Sequence, residues 1–358
     1  MNMVSEWFKR TFSDAQVVLL IAVLIGLVIL VSIFGNMLAP AIAALVIAFL
    51  LDGPIEWLMR KGARPMIAFL SVFIGFILVA LTVLVAVVPP LARQVAQFIN
   101  DTPAMVGSVQ RALLSLQDRF PDLISEEQVR SSFANLGNEV ANIGPQILQY
   151  FSAGVTSAIT TAVYTVLVPV MVFFFLKDKQ QILDWITRFL PKDRTLLDQV
   201  GREVVERAGD YARGKVYEIL IVGIVSFIVY QSIDIRYATL LAVATGLSVV
   251  IPYFGAAVVT VPVALVAYFQ WGMTGPMLGA IIAYLIIQAL DGNLLAPLLF
   301  SEVVKLHPNA IILAILVFGG LWGLWGVFFA IPLATVANAV IRAWQERSAA
   351  NEIAKNGG

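Results

Sequence analysis

Six stretches of this chain run without a charged residue for longer than a water-soluble core can use. Residues 17–34, 66–91, 151–176, 238–270, 275–290 and 309–341 contain no Asp, Glu, Lys or Arg. Several of these runs reach the roughly 18 residues that a helix needs to cross hydrocarbon. In lipid, a segment must close its own backbone hydrogen bonds, so long apolar runs without alternation become helices. Of the 358 residues, 60% are hydrophobic and 13% charged, whereas soluble domains run near 45–50% and 25%. The expectation is an all-α, polytopic membrane protein of about eight hydrophobic segments.

The order of the segments gives a domain plan. Residues 1–91 carry the first three transmembrane helices. A polar start holding Lys9 and Arg10 precedes the run 17–34, which is too long for a signal-peptide core and reads as an uncleaved span. Gly35-Asn36 predicts a turn, 37–51 returns through the membrane, and 52–65 is a loop with Arg60, Lys61 and Arg64. The span 66–91 is expected to end at Pro89-Pro90. Residues 92–150 are polar with apolar residues at helical spacing, and predict an amphipathic extracytoplasmic or interfacial subdomain. Residues 151–176 form the fourth span, 177–216 a charged cytoplasmic helical segment, 217–341 a transport core, and 342–358 a cytoplasmic tail.

Lys/Arg bias in loops sets orientation. With the N-terminus inside, the cytoplasmic segments collect seventeen basic residues against five outside. Both termini are therefore expected in the cytoplasm.

Two segments of the core, 238–270 and 309–341, are interrupted. The first breaks at Pro252-Tyr253-Phe254-Gly255 and again at Pro262. The second breaks at Gly319-Gly320, Gly323 and Gly326 and then at Pro332. Split there, each yields two helices of about 15 residues, or about 22 Å, short of the roughly 30 Å core. Re-entrant hairpins would explain that length, and so would two full crossings. The runs AVVTVPVALVA (257–267) and VFFAIPLATVA (327–337) align Pro262 with Pro332. Paired, interrupted hydrophobic segments are the sequence pointer to a transporter site.

The residues expected to line a solute or ion pathway are Pro252, Tyr253, Gly255, Gln288, Asp291, Asn293, Gly319 and Gly320. The breaks free backbone groups, and Asp291, beside Gln288 and Asn293, offers a carboxylate at membrane depth. The competing reading of the glycines is close helix packing; that of Asp291 is a solvated turn residue. Glu218 is expected to pair with Lys215 one turn away as a structural contact. His307, the one histidine, reads as a helix-start residue.

Other chemistries lack their parts. Equal numbers of basic and acidic residues, 23 each, leave no nucleic-acid footprint, and the absence of cysteine removes thiol chemistry. No GxxxxGK[ST], HExxH or GxSxG occurs, so no cofactor, metal site or enzyme activity is expected. The expected partners are the lipid bilayer and a small polar solute or cation. A non-transporting scaffold, binding partners through 92–150 and 177–216, would gain little from broken helices.

Several motifs together carry a resemblance. They are Phe174-Phe175-Leu176-Lys177-Asp178, Ile251-Pro252-Tyr253-Phe254-Gly255, Asp291-Gly292-Asn293 with Pro297, and Leu306-His307-Pro308 followed by the glycine-rich run to Ile331-Pro332. The chain resembles the AI-2E (autoinducer-2 exporter) family of bacterial membrane proteins, with Asp291 where that family often carries Glu. The resemblance implies an inner-membrane, homo-oligomeric permease. Members are linked to efflux of the signal autoinducer-2 and, in some cases, to sodium/proton antiport.

Overall fold

The computed structural model describes residues 15–117, 127, 146, 163–189, 195–252, 254–300 and 307–356. Among these the regular elements are all helical. In chain order they are α1 (Ala15–Arg60), α2 (Pro65–Thr82), α3 (Val88–Gln117), α4 (Val168–Lys177), α5 (Lys179–Thr187), α6 (Thr195–Ser232), α7 (Ala238–Ser248), α8 (Phe254–Trp271), α9 (Gly275–Leu290), α10 (Ala296–Phe300) and α11 (Pro308–Asn356). Four described helices are long and apolar enough to cross a membrane: Met37–Arg60, Pro65–Ser115, Phe254–Trp271 and Gly275–Phe300. Shorter apolar helices are Tyr164–Lys177, Ala238–Ser248, Asn309–Gly323 and Trp325–Thr335. Most of the expected 92–150 subdomain and the first half of the expected fourth span lie outside the described residues.

Two expected boundaries are absent. No turn forms at Gly35-Asn36: α1 is one helix of 46 residues. Nor does the third span end at Pro89-Pro90, which lie within α3. The physical reason is the same in both cases. Glycine inside a helix costs about 1 kcal/mol, but a turn in apolar surroundings would strand several backbone groups without partners.

The prolines show how the backbone adapts. Three π-helical turns occur among the described residues: Val83–Val87, Val163–Leu167 and Asp291–Leu295. Each ends two residues before a proline, namely Pro89, Pro169 and Pro297. Proline donates no N–H, and its ring clashes with the carbonyl four residues back. That carbonyl falls inside the π turn every time. The wider turn shifts the pairing ahead of the proline to i→i+5, as where Val88 N–H donates to Val83 O.

The chain divides into two compact units. The first comprises Met1–Phe73, Val166–Gly214 and Phe300–Gly358. In it Ile55 of α1 clusters with Ala68 and Phe69 of α2, and Phe173 and Leu176 of α4 pack against them. The Phe69 and Phe173 rings meet edge-on at 5.3 Å. Trp322 of α11 donates its indole N–H to Ser32 Oγ of α1 at 2.9 Å.

The second unit comprises Ile74–Thr165 and Lys215–Leu299. Its core gathers Met105, Tyr230, Leu241, Val263, Val266 and Tyr284. The tight connection before α7 is pinned on several sides. Gln270 Oε1 accepts from Arg236 N–H at 2.7 Å, and Gln270 Nε2 donates to Asp234 O at 2.7 Å. Gln94 Oε1 accepts from Leu240 N–H at 2.9 Å and so caps the start of α7. The Tyr237 hydroxyl donates to Asp101. Burial, with the Asp101 carboxylate beside it, pushes the Tyr237 phenol up to about 12, so it keeps donating at neutral pH.

Both interrupted segments are broken, at or beside the expected residues 252–255 and at the expected Gly323, but not at Pro262 or Pro332. In the first, α7 ends at Ser248 and α8 begins at Phe254. The halves are unequal: 11 residues, or about 16 Å, against 18 residues that suffice to span by length. In the second, the break is Gly323 alone, at φ 58° and ψ −135°, a conformation open to glycine. Pro262 and Pro332 sit inside continuous helix and break nothing.

The two breaks share one steric requirement. A Cβ at Gly255 would lie 1.8 Å from the carbonyl oxygen of Ser248, and a Cβ at Gly326 would lie 1.8 Å from that of Phe318. In each case the helix after the break presses a glycine on the last turn of the helix before it. Gly255→Ala and Gly326→Ala should each destabilise by about 1–3 kcal/mol or more, since backbone cannot yield as a side chain does. Gly279→Ala, whose added Cβ meets nothing within 4 Å, should stay within about 0.5 kcal/mol of the parent. Thermal unfolding in detergent checks this; equal midpoints for all three would contradict it.

Candidate functional site

The second unit holds three ionisable side chains where apolar surroundings make charge expensive. Lys215 and Glu218 stand one turn apart on α6, with side chains only 4% and 3% exposed. Lys215 Nζ lies 2.5 Å from Glu218 Oε2 and donates to Val249 O at 3.0 Å. Val249 belongs to the break between α7 and α8, so the ammonium satisfies a carbonyl that the broken helix has released. Asp291 opens the π turn after α9, where its carboxyl group interacts electrostatically with Lys215 and Glu218.

The charges do not cancel. One ammonium faces two carboxyl groups, and like charges brought together in apolar surroundings favour uptake of a proton. Replacing that proton by another cation keeps the balance. Two further polar atoms are buried here without a hydrogen-bond partner: Asp291 Oδ1 and, one turn earlier on the same helix, Gln288 Nε2. The Tyr284 hydroxyl, on the next turn of α9, donates to Ala256 O of α8 and receives a 3.2 Å hydrogen bond from Thr260 Oγ1. The start of α8 is thereby tied to the helix that carries Gln288 and leads to Asp291. Among the described residues no group of three or more His, Cys, Asp or Glu side chains could hold a metal ion.

The residues named from sequence scatter. Gln288 and Asp291 are in this region, and Pro252 and Gly255 flank the break whose Val249 carbonyl Lys215 holds. Tyr253 lies outside the described residues. Asn293 is exposed and folds back to donate to Ala289 O at 2.8 Å, so its amide is engaged on its own helix. Gly319 and Gly320 belong to the other unit, within helix just before the break at Gly323. His307 is exposed and accepts from Asn309 N–H at 3.2 Å at the start of α11, as its sequence setting suggests. The Lys215–Glu218 pair that the sequence predicts as a structural contact is formed. Its signal was present: two opposite charges one turn apart at the head of an apolar run.

The comparison with known proteins now has a site to attach to. The sequence model described as AI-2E family transporter matches residues 17–346. The chain belongs to the AI-2E family of transporters. It is 41% identical over 352 residues to PerM of Escherichia coli (strain K12), covering 98% of this chain and 100% of PerM, a protein whose name describes a permease. YrrI of Bacillus subtilis (strain 168), named as a transport protein, is 27% identical over 312 residues, 84% of this chain and 85% of YrrI. YueF of the same organism, also named as a transport protein, is 27% identical over 300 residues, 82% of this chain and 80% of YueF. For this AI-2E member, composition, helices and relatives agree on a bacterial membrane transporter.

Removing one partner of a buried ion pair strands the other. Lys215→Ala and Glu218→Ala should therefore each destabilise by about 3–5 kcal/mol. Asn293→Ala, which removes only an exposed contact, should stay within about 0.5 kcal/mol. Melting in detergent separates them; a Lys215→Ala protein as stable as Asn293→Ala would contradict the pairing.

Proposed function

We propose that this AI-2E family member is a gradient-driven permease of the bacterial inner membrane, working as a homo-oligomer, that exports a small polar solute by alternating access. The observation that carries the reading is the buried Lys215–Glu218 pair, with half-buried Asp291 near it, beside the break between α7 and α8. A transporter needs a place where cargo and coupling ion compete, and intramembrane charge that can change occupancy supplies it. The proton held between Glu218 and Asp291 is the coupling ion. Lys215 links its fate to the broken backbone through Val249 O. When the pair loses its proton, the ammonium is drawn to the carboxylates and releases that carbonyl, so the break can rearrange.

The solute is a hydroxyl-rich small molecule of the autoinducer-2 kind. Asp291 Oδ1 accepts from its hydroxyl groups and Gln288 Nε2 donates to them. A second reading, sodium/proton exchange, is favoured by the oxygen set of Glu218, Asp291 and the Val249 carbonyl, since hard cations take oxygen ligands. In orientation, Lys/Arg bias assigns 52–65, 177–216 and 342–358 to the cytoplasm. The N-terminus no longer follows from that bias, because α1 does not turn at Gly35-Asn36.

Purified protein in liposomes tests the proposal with imposed proton and sodium gradients. Asp291→Asn should lower flux at least about tenfold while the protein still inserts, as expected for an intramembrane functional carboxylate. Asn293→Ala should leave flux unchanged. Wild-type flux in Asp291→Asn would overturn the role of the pair. Proton flux that needs sodium and no organic solute would move the conclusion to the second reading.

A further inference from the structure

Helix α5 serves none of the roles above, and its surface is unusual. The chain leaves α4 at a bend: Asp178 has φ −106° and ψ 20°, and its N–H still donates to Phe174 O at 2.8 Å. The nine residues of α5 are too few to cross a membrane. Ile182, Trp185, Ile186 and, just past the helix end, Phe189 recur at three- and four-residue spacing, with Leu183 beside them. Gln180, Gln181, Asp184, Thr187 and Arg188 take the other face. Trp185 is 59% exposed and Phe189 72%, their rings meeting edge-on at 5.0 Å. Burying such a side chain is worth about 1.5–3 kcal/mol, so a face like this needs a cover.

The charge around it says what covers it. Lys179 Nζ pairs with Asp52 Oδ2 at 2.7 Å and ties the start of α5 to α1. Nearby in α1, Lys61 Nζ lies 3.8 Å above the ring of Trp57, which is 51% exposed. Lys177 Nζ lies over Phe173 at 5.7 Å. Arg60, Lys61, Arg64, Lys177, Lys179 and Arg188 thus outnumber Asp52, Glu56, Asp178 and Asp184 at this end of the unit. Tryptophan rings with an excess of Lys and Arg, next to apolar helices, are the chemistry of a headgroup layer that carries negative charge. A second protein copy would be met by the same excess of positive charge.

We propose that α5 is an interfacial helix lying in the headgroup layer of the anionic cytoplasmic leaflet. Leu183, Trp185, Ile186 and Phe189 enter the acyl boundary, and the neighbouring Lys and Arg side chains reach lipid phosphates. The bend at Asp178 turns the chain from spanning to lying flat.

The chain has no cysteine, so single-cysteine variants need no background removal. Ile186→Cys and Gln180→Cys, both at exposed positions, would carry a nitroxide in the full chain. The chain would be reconstituted in phosphatidylcholine liposomes with or without phosphatidylglycerol, after checking that both variants melt as the parent does. Oxygen concentrates among acyl chains and a nickel chelate stays in water. The oxygen-to-nickel accessibility ratio should be several-fold higher at 186 than at 180, and the contrast should be larger with phosphatidylglycerol. Nickel access at both positions, or low access of both relaxants at 186 as under a second copy, would overturn the proposal. An unchanged contrast without the anionic lipid would overturn the assignment to an anionic leaflet.

Discussion

Apolar surroundings leave every backbone amide and carbonyl to find its partner inside the chain, and the architecture follows from that constraint. Where the sequence offers a mild helix breaker, such as Gly35-Asn36, the helix runs on, because stopping would cost more than continuing. Before Pro89, Pro169 and Pro297 the preceding turn widens to a π turn, whereas Pro262 and Pro332 are carried within α-helix. Only where the chain supplies other partners does the helix open. At the break between α7 and α8, Gly255 settles on Ser248 O and Lys215 takes Val249 O. In the other unit Gly323 makes the bend and Gly326 settles on Phe318 O. The two breaks solve one steric problem in the same way.

The same constraint makes the Lys215–Glu218–Asp291 cluster a commitment. Removing an ion pair from water costs several kcal/mol per ion, and the attraction between partners recovers it only when their remaining hydrogen-bonding capacity is met. Lys215 meets part of it on Val249 O. The second carboxyl group is what a purely structural pair would not need. On the proposed reading it lets the site take up a proton or another cation, and Asp291 Oδ1 has no hydrogen-bond partner. A π turn begins at this residue, and such turns recur at functional sites.

The helical class, the family and the existence of two interrupted segments were legible in the sequence, because charge-free length and Pro/Gly punctuation report directly on helices in lipid. The positions of the breaks were less so. Pro262 and Pro332 look like breakers but lie in continuous helix, whereas of the four glycines expected to interrupt the second segment only Gly323 takes a non-helical conformation. Asp291 and Gln288 could be named from their depth and residue type. The meeting of Asp291 with Lys215 and Glu218 could not, since it joins positions more than seventy residues apart. Asn293, adjacent to Asp291 in sequence, is turned away by the π turn and bonds its own helix.

The central claim is that the Glu218–Asp291 pair trades its proton for cargo. The most direct test counts protons with a pH-sensitive dye inside proteoliposomes while cargo flux is driven in the opposite direction. The account predicts proton movement coupled to cargo in the parent protein and none in Glu218→Gln, with cargo flux falling alongside. Coupled proton movement persisting in Glu218→Gln at the parent ratio would contradict it.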